Sequence, residues 1–151
     1  MRSFNLVATT QRGNEWACMK EVGMLGQSLG FESVRMKRTG YPGLVIGSME
    51  GDPVALVRAV RAIVEEDPWD LRFLLKLTPV EVTVEAGIEK IADAIGKIAQ
   101  RIPEGSSFKI SVNKRGSEIS SQDLIKAAAS KVDRRVNLER PQWVVQVEII
   151  E

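Results

Sequence analysis

A chain of 151 residues is long enough for one compact domain or for two small lobes with a core each. Its 44% hydrophobic and 27% charged residues are ordinary for a globular protein and exclude a disordered or fibrous one. With no histidine and one cysteine, Cys18, it lacks the commonest general base and the ligands of most metal sites, and it can form no internal disulfide.

Charge is distributed unevenly along the chain, although the net charge is only +1. Residues 105–140 hold eight Lys/Arg against four Asp/Glu, whereas residues 65–104 hold five against nine. We expect the first segment to bind an anionic partner, and the second is a candidate docking face for a basic protein. The sequence shows no signal peptide and no apolar run approaching about 20 residues, so we expect a reduced, cytoplasmic protein without membrane contact.

The first half of the chain alternates strands and helices. In chain order the patterns predict a strand over 4–10, a helix over 15–29, a hairpin of strands 32–39 and 44–49, a helix over 53–66 and a strand run over 71–84. This βαββαβ order is typical of a ferredoxin-like lobe, an antiparallel sheet with two helices on one face. Cys18 falls on the apolar stripe of the first helix, so we expect it to be buried and structural.

The second half predicts a smaller set of elements. These are an isoleucine-rich helix over 86–102, a strand over 108–113, a loop at 114–116, a helix from Ser120 or Ser121 to about 132, a short strand at 136–138 and a last strand over 143–150. We therefore expect an α+β protein with an N-terminal lobe at 1–70 and a second α/β lobe at 71–151. Both lobes together account for the whole chain, so we expect no separate catalytic segment.

No motif of a catalytic site is present. The sequence has neither GxGxxG nor GxxxxGK[ST], and its carboxylates are expected to form a solvated face. We therefore expect no catalytic residue, no cofactor and no metal. For Trp16, Trp69 and Trp143 we favour packing in the core or between the lobes over base stacking, because each lies near the end of an element.

Basic residues of the second lobe are expected to converge on one surface. On a helix, Lys126 and Arg134 lie eight positions apart on one face, with Lys131 beside them. The outward side chains of Lys109 and Asn113 and the loop at 114–115 would extend this surface, which suits phosphates without reading sequence. The alternative is an ordinary solvated face.

Several runs together resemble the THUMP domain, known from tRNA-modifying enzymes such as thiouridine synthases and guanosine methyltransferases. They are Phe73–Val80, the isoleucine helix, Phe108–Gly116, the Ser-capped helix, Val136–Leu138 and Pro141. The resemblance implies a ferredoxin-like lobe followed by a THUMP lobe, which together hold the acceptor stem and single-stranded 3′ end of tRNA. Where the family shows an Asn-Pro-Asp-like turn, this chain has Arg140–Trp143, which keeps the proline but not the acidic residue.

The sequence looks most like stand-alone THUMP proteins that act as adaptors for tRNA cytidine N4-acetylation. Glu15, Glu21, Lys37–Gly40 and Gly43-Leu44 carry that finer similarity. Lys109, Lys114 and Arg115 match the strand-and-loop motif, whereas Lys126, Arg134 and Arg135 are inferred from charge. The candidate RNA-binding residues are Lys37, Arg38, Lys109, Asn113, Lys114, Arg115, Lys126, Lys131, Arg134 and Arg135.

We therefore expect a non-catalytic tRNA-binding adaptor that presents tRNA to a separate acetyltransferase. Two alternatives stay open: a non-catalytic subunit of a split tRNA thiolation or methylation enzyme, and a structural module whose basic surface meets an acidic protein.

Overall fold

The computed structural model describes residues 4–31 and 33–150 and divides the chain into two units, Met1–Thr83 and Val84–Glu151. Glu32, with which the second predicted strand begins, lies outside the described residues. None of the helices within the described ranges has the length and apolar character that crossing a bilayer requires.

The N-terminal unit has the predicted ferredoxin-like order of elements. They are β1 (Leu6–Thr9), α1 (Glu15–Ser28), β2 (Arg35–Arg38), β3 (Leu44–Ser48), α2 (Pro53–Glu66) and β4 (Lys76–Pro79). All neighbouring strands are antiparallel, in the order β2-β3-β1-β4. This order confirms the split βαβ arrangement.

Two apolar clusters form the core of this unit. Leu6, Leu56 and Val60 pack with the partly buried Leu25 of α1, and Ala8 and Val45 pack with Cys18 and Val22. The Asp52 carboxylate caps α2 by accepting from the backbone N–H of Val54 at 2.9 Å, with Pro53 in the first turn, as predicted.

Cys18 is fully buried, as predicted, and its environment favours the neutral thiol. Burial raises the pKa of this thiol from 9.0 to about 11, and the carboxylates of Glu21 and Glu15 add to the rise. In the unfolded chain the thiol ionises first, so the unfolded state holds fewer protons between these two values. The neutral Cys18 thiol therefore makes its full contribution to the free energy of unfolding below pH 9. That contribution is lost as the pH rises towards 11.

We expect wild-type protein to lose on the order of 2 kcal/mol more stability than Cys18→Ala between pH 9 and 11. Chemical denaturation at a series of pH values measures this difference, and the alanine variant controls for every other pH-dependent contribution. If the free energy of unfolding fell equally with pH in both proteins, the raised pKa of Cys18 would be contradicted.

The C-terminal unit is built on a three-stranded parallel sheet. Its elements are α3 (Ile88–Ile98), a 3₁₀ turn (Ala99–Arg101), β5 (Ser107–Arg115), α4 (Ser121–Ala129), β6 (Arg135–Val136) and β7 (Trp143–Ile150). The strand order is β6-β5-β7, so β5 is central. The buried residues of α3 and α4 join Phe108, Ile110, Val145 and Ile149 in one core, so both helices cover the same face of the sheet.

Side-chain amides close the loop between β6 and β7. Asn137 Oδ1 accepts from the backbone N–H groups of Glu139 and Arg140 at 3.2 and 3.1 Å. Gln142 Oε1 accepts from the backbone N–H of Ser107 at 3.0 Å, and the Gln142 backbone N–H donates to Ser107 Oγ at 3.2 Å. The amide side chains of Asn137 and Gln142 thus close this turn without the acidic residue that the resemblance leads one to expect.

The boundary between the units lies after Thr83, whereas the sequence placed it after residue 70. The reason is β4, whose residues 76–79 pair with β1 and complete the first sheet. Residues 80–84, predicted as part of that strand, are not in a strand.

The interpretation of the tryptophans as core residues is wrong. Trp16, Trp69 and Trp143 are 67%, 88% and 46% exposed. An indole near the end of an element needs a neighbouring apolar surface to be buried, and that depends on tertiary contacts the sequence does not reveal.

Candidate nucleic-acid interface

Strand alternation gives the second sheet two different faces. The face opposite α3 and α4, here called the outer face, carries odd-numbered residues of β5 and even-numbered residues of β7. Its exposed and half-buried members are Lys109, Ser111, Asn113, Arg115, Arg135, Val144, Gln146, Glu148 and Ile150, and Ser107 also belongs to it but is buried. Arg135 belongs to this set because it stands opposite Ser107, two positions before Lys109.

The outer face is more basic than acidic. Its cations are Lys109, Arg115 and Arg135, and its one carboxylate is that of Glu148. Arg115 Nη1 lies 3.6 Å from Glu148 Oε2, and Asn113 Nδ2 donates to Glu148 Oε1 at 3.2 Å. Glu148 therefore offsets part of the charge at the end of β5. Nearer the start of the strand, Lys109 and Arg135 form no ion pair with any residue that the structure describes.

The cations of the outer face are spread along the strand. Lys109 and Arg115 are six residues apart, about 20 Å at the rise of a β-strand. They are too far apart to share one phosphate. Ser111, Asn113 and Gln146 lie between or beside them and offer hydroxyl and amide donors. Such a face can contact several phosphates or sugars of a folded RNA.

The predicted convergence of all basic residues on one surface is wrong. Lys126 and Lys131 lie on and just after α4, on the side of the sheet opposite the outer face. Lys126 is exposed, but Lys131 pairs with Asp93 and lies 3.7 Å from Glu89, and the Asp93 carboxylate raises its pKa. Lys131 is therefore neutralised by acids of α3.

Arg134 does not continue α4, which ends at Ala129. The backbone N–H groups of Lys131 and Val132 donate to carbonyls three residues back, so the chain tightens and leaves the helical path. The Arg134 Nε then donates to the Ile102 carbonyl at 2.8 Å. Arg134 thus ties the segment before β6 to the end of the 3₁₀ turn.

Lys114 and Arg115 belong to β5 rather than to a loop, which begins at Gly116. They point to opposite faces of the sheet. Lys114 Nζ donates to the Ile119 carbonyl at 2.8 Å, which holds the segment before α4. Of the two, Arg115 lies on the outer face.

Lys37 and Arg38 lie on β2, one of the two edge strands of the N-terminal sheet, and both are exposed. The Arg38 guanidinium lies over the Trp16 ring, 5.6 Å from its centroid. Beside them is a cleft of about 220 Å³ between the β1–α1 loop and the β2–β3 turn, lined by Arg12, Gly13, Glu15, Arg38, Gly40, Tyr41, Pro42 and Leu44. Sequence reasoning missed Arg12 and Tyr41, because they lie in separate loops that only the fold brings together.

The C-terminal unit is an α/β unit with a polar, basic sheet face, and one comparison with known proteins concerns this unit. A family model of the THUMP domain matches residues 85–151, nearly all of the C-terminal unit. The C-terminal unit is therefore similar to THUMP domains, and this similarity points to RNA binding in the setting of tRNA modification.

A solved structure supports the fold of the whole chain. The crystal structure of PH1313 from Pyrococcus horikoshii Ot3 superposes with a TM-score of 0.68 at 11% identity. The match covers 99% of this chain and 52% of that one, so this chain spans about half the length of that protein. No curated protein matches the sequence.

Proposed function

We propose that this protein is a tRNA-binding adaptor that presents tRNA to a separate modification enzyme. The THUMP match over residues 85–151 is the observation that carries the proposal. The outer face supplies a physical means, because three cations against one carboxylate attract phosphates while its polar side chains donate to phosphate or sugar oxygens. Contacts of this kind read the shape of an RNA rather than its sequence.

The partner enzyme that we propose is a cytidine N4-acetyltransferase, and the adaptor itself has no catalytic role. The finer resemblance at Glu15, Glu21 and Gly43 supports this choice. In the structure, Glu21 accepts backbone hydrogen bonds from residues 72–74 and Gly43 closes a tight turn. Both residues thus hold the N-terminal unit in the shape that the finer resemblance implies.

Filter binding of tRNA over a range of salt concentrations tests the binding step. Three cations that each neutralise a phosphate release counterions, so we expect log K to fall with log salt with a slope of about −2 to −3. A duplex RNA of unrelated sequence should show a similar slope. Affinity that does not decline as salt rises would contradict the phosphate contacts.

Nucleoside analysis of tRNA from cells with and without this protein tests the partner. We expect N4-acetylcytidine to be lost in its absence. Loss of a thiolated or methylated nucleoside instead would identify the enzyme of the alternative hypothesis. Unchanged nucleosides would contradict the adaptor function.

A further inference from the structure

We propose that two copies of this chain pair through the free edge of β7, which joins their two three-stranded sheets into one. Within residues 4–31 and 33–150, β5 is the strand that pairs with β7, and no strand lies on the other side of β7. That edge therefore carries backbone N–H and C=O groups that a second β7 can bond. Pairing of this kind goes beyond the proposed function and does not depend on RNA.

The other sheet edges that the structure describes carry features that prevent pairing with another chain. Three of the four residues of β2 are cations, and β4 ends at Pro79, which has no N–H to donate. β6 is only two residues long and contains Arg135. The eight residues of β7 include no proline, no glycine and no cation. A long edge strand without such features is a template for another strand.

Apolar side chains of β7 interrupt the polar outer face at this edge. Val144 and Ile150 are the apolar members of the outer face, and both lie on β7. Val144 is 51% exposed, and Trp143 beside it is 46% exposed. A strand placed along β7 would cover part of this surface, and burial of apolar area stabilises association.

Two-fold symmetry limits the registers in which two β7 strands can pair. The strands run antiparallel, and paired residues have numbers of the same parity, because otherwise the outer face of one copy continues into the helix-covered face of the other. An axis centred on Glu148 places two carboxylates opposite each other, which is destabilising. An axis centred on Gln146 places the Glu148 carboxylate opposite the apolar Val144.

An axis centred on Val147 gives complementary pairs along the strand. It places the Gln146 amide opposite the Glu148 carboxylate, so that the amide can donate across the interface. On the same face it places Val144 opposite Ile150. Symmetry repeats each of these pairs once, so the chemistry of the β7 edge fits a second copy of itself.

The assembly ends at two copies and leaves the cations of the outer face open. The edges that remain in the dimer are those of the two β6 strands, which are too short to pair further. The two-fold axis is perpendicular to the sheet, so both outer faces lie on the same side. Lys109, Arg115 and Arg135 are then each presented twice on one surface.

Sedimentation equilibrium of the full chain without RNA tests the pairing. We expect a mass of twice the 16.7 kDa of one chain at high concentration, with dissociation on dilution. Gln146→Glu places like charges opposite each other at two points of the interface and should weaken the dimer roughly tenfold. Gln100→Glu, the same substitution at an exposed position of the 3₁₀ turn, is the control and should leave the dimer unchanged.

Two further variants test the register and cannot be mimicked by misfolding. Gln146→Lys, which places a cation opposite Glu148, should strengthen the dimer. Gln146→Glu/Glu148→Gln exchanges the two partners, keeps an amide opposite a carboxylate and should restore wild-type dimerisation. A double variant that dimerises no better than Gln146→Glu would overturn the register.

The pairing and the proposed function fail separately. A wild-type chain that stays monomeric at every concentration, or a dimer that Gln146→Glu leaves intact, would overturn the pairing of β7. A dimer that responds to the variants as expected but does not bind tRNA would support the pairing and contradict the proposed function.

Discussion

Replacing Lys109, Arg115 and Arg135 together with glutamine is expected to weaken tRNA binding by on the order of 100-fold at about 0.1 M salt. Each substitution removes a cation from the outer face, and the loss corresponds to about 1 kcal/mol per contact. The slope of log K against log salt should become less steep, because the counterions released by these residues are no longer displaced. Filter binding measures both quantities, and all tRNAs should be affected about equally.

The opposite side of the same unit provides a matched control. Lys97, Lys126 and Lys131 are three cations on α3 and α4 or just after them, and their replacement with glutamine removes the same charge. We expect this variant to bind tRNA within about threefold of wild type, since one of the three is already paired with acids. A larger loss of tRNA affinity in this variant than in the outer-face variant would indicate that the helices, and not the outer face, bind the RNA.

Replacing Glu21 with alanine is expected to destabilise the N-terminal unit by about 2 kcal/mol. The Glu21 carboxylate accepts from the backbone N–H groups of Arg72, Phe73 and Leu74 at 2.9, 3.1 and 2.8 Å. It thereby attaches α1 to the segment that leads into β4. One hydrogen bond to a charged group stabilises by about 1.5–3 kcal/mol. We expect the three bonds together to contribute no more than this, because part of the site is exposed to water.

Hydrogen exchange followed by mass spectrometry can measure this effect in one unit at a time. Amides of β1 and β4 should exchange roughly 30-fold faster in Glu21→Ala, while those of β5 and β7 should be unchanged. Glu50→Ala, which removes an exposed carboxylate from a loop, is the control and should change neither set. Unchanged exchange in β4 of Glu21→Ala would contradict the anchoring role.

Local patterns predicted most of the fold. The alternation of Phe108, Ile110 and Val112 with Lys109 and Ser111 correctly assigned each side chain to a face of β5, because the two-residue period of a strand is a local property. The order of elements in residues 4–80 was likewise sufficient for the ferredoxin-like arrangement. Caps such as Asp52 and Ser120 were visible because their partners are two or three residues away.

The candidate site was predicted less well because it depends on tertiary contacts. The apolar stripe of α4 gave no sign that the helix tightens after Ala129, so Arg134 was placed on a helical face that does not exist. The pairing of Lys131 with Asp93 joins residues 38 positions apart. Arg135 could be placed beside Lys109 only from the register of β6 on β5.

We propose that the outer face of the C-terminal sheet contacts tRNA. Ultraviolet cross-linking of the complex, followed by mass spectrometry of the linked peptides, tests it most directly. We predict cross-links within β5 and at Arg135, with none in α3 or α4. Cross-links confined to the two helices, with β5 unmodified, would contradict it.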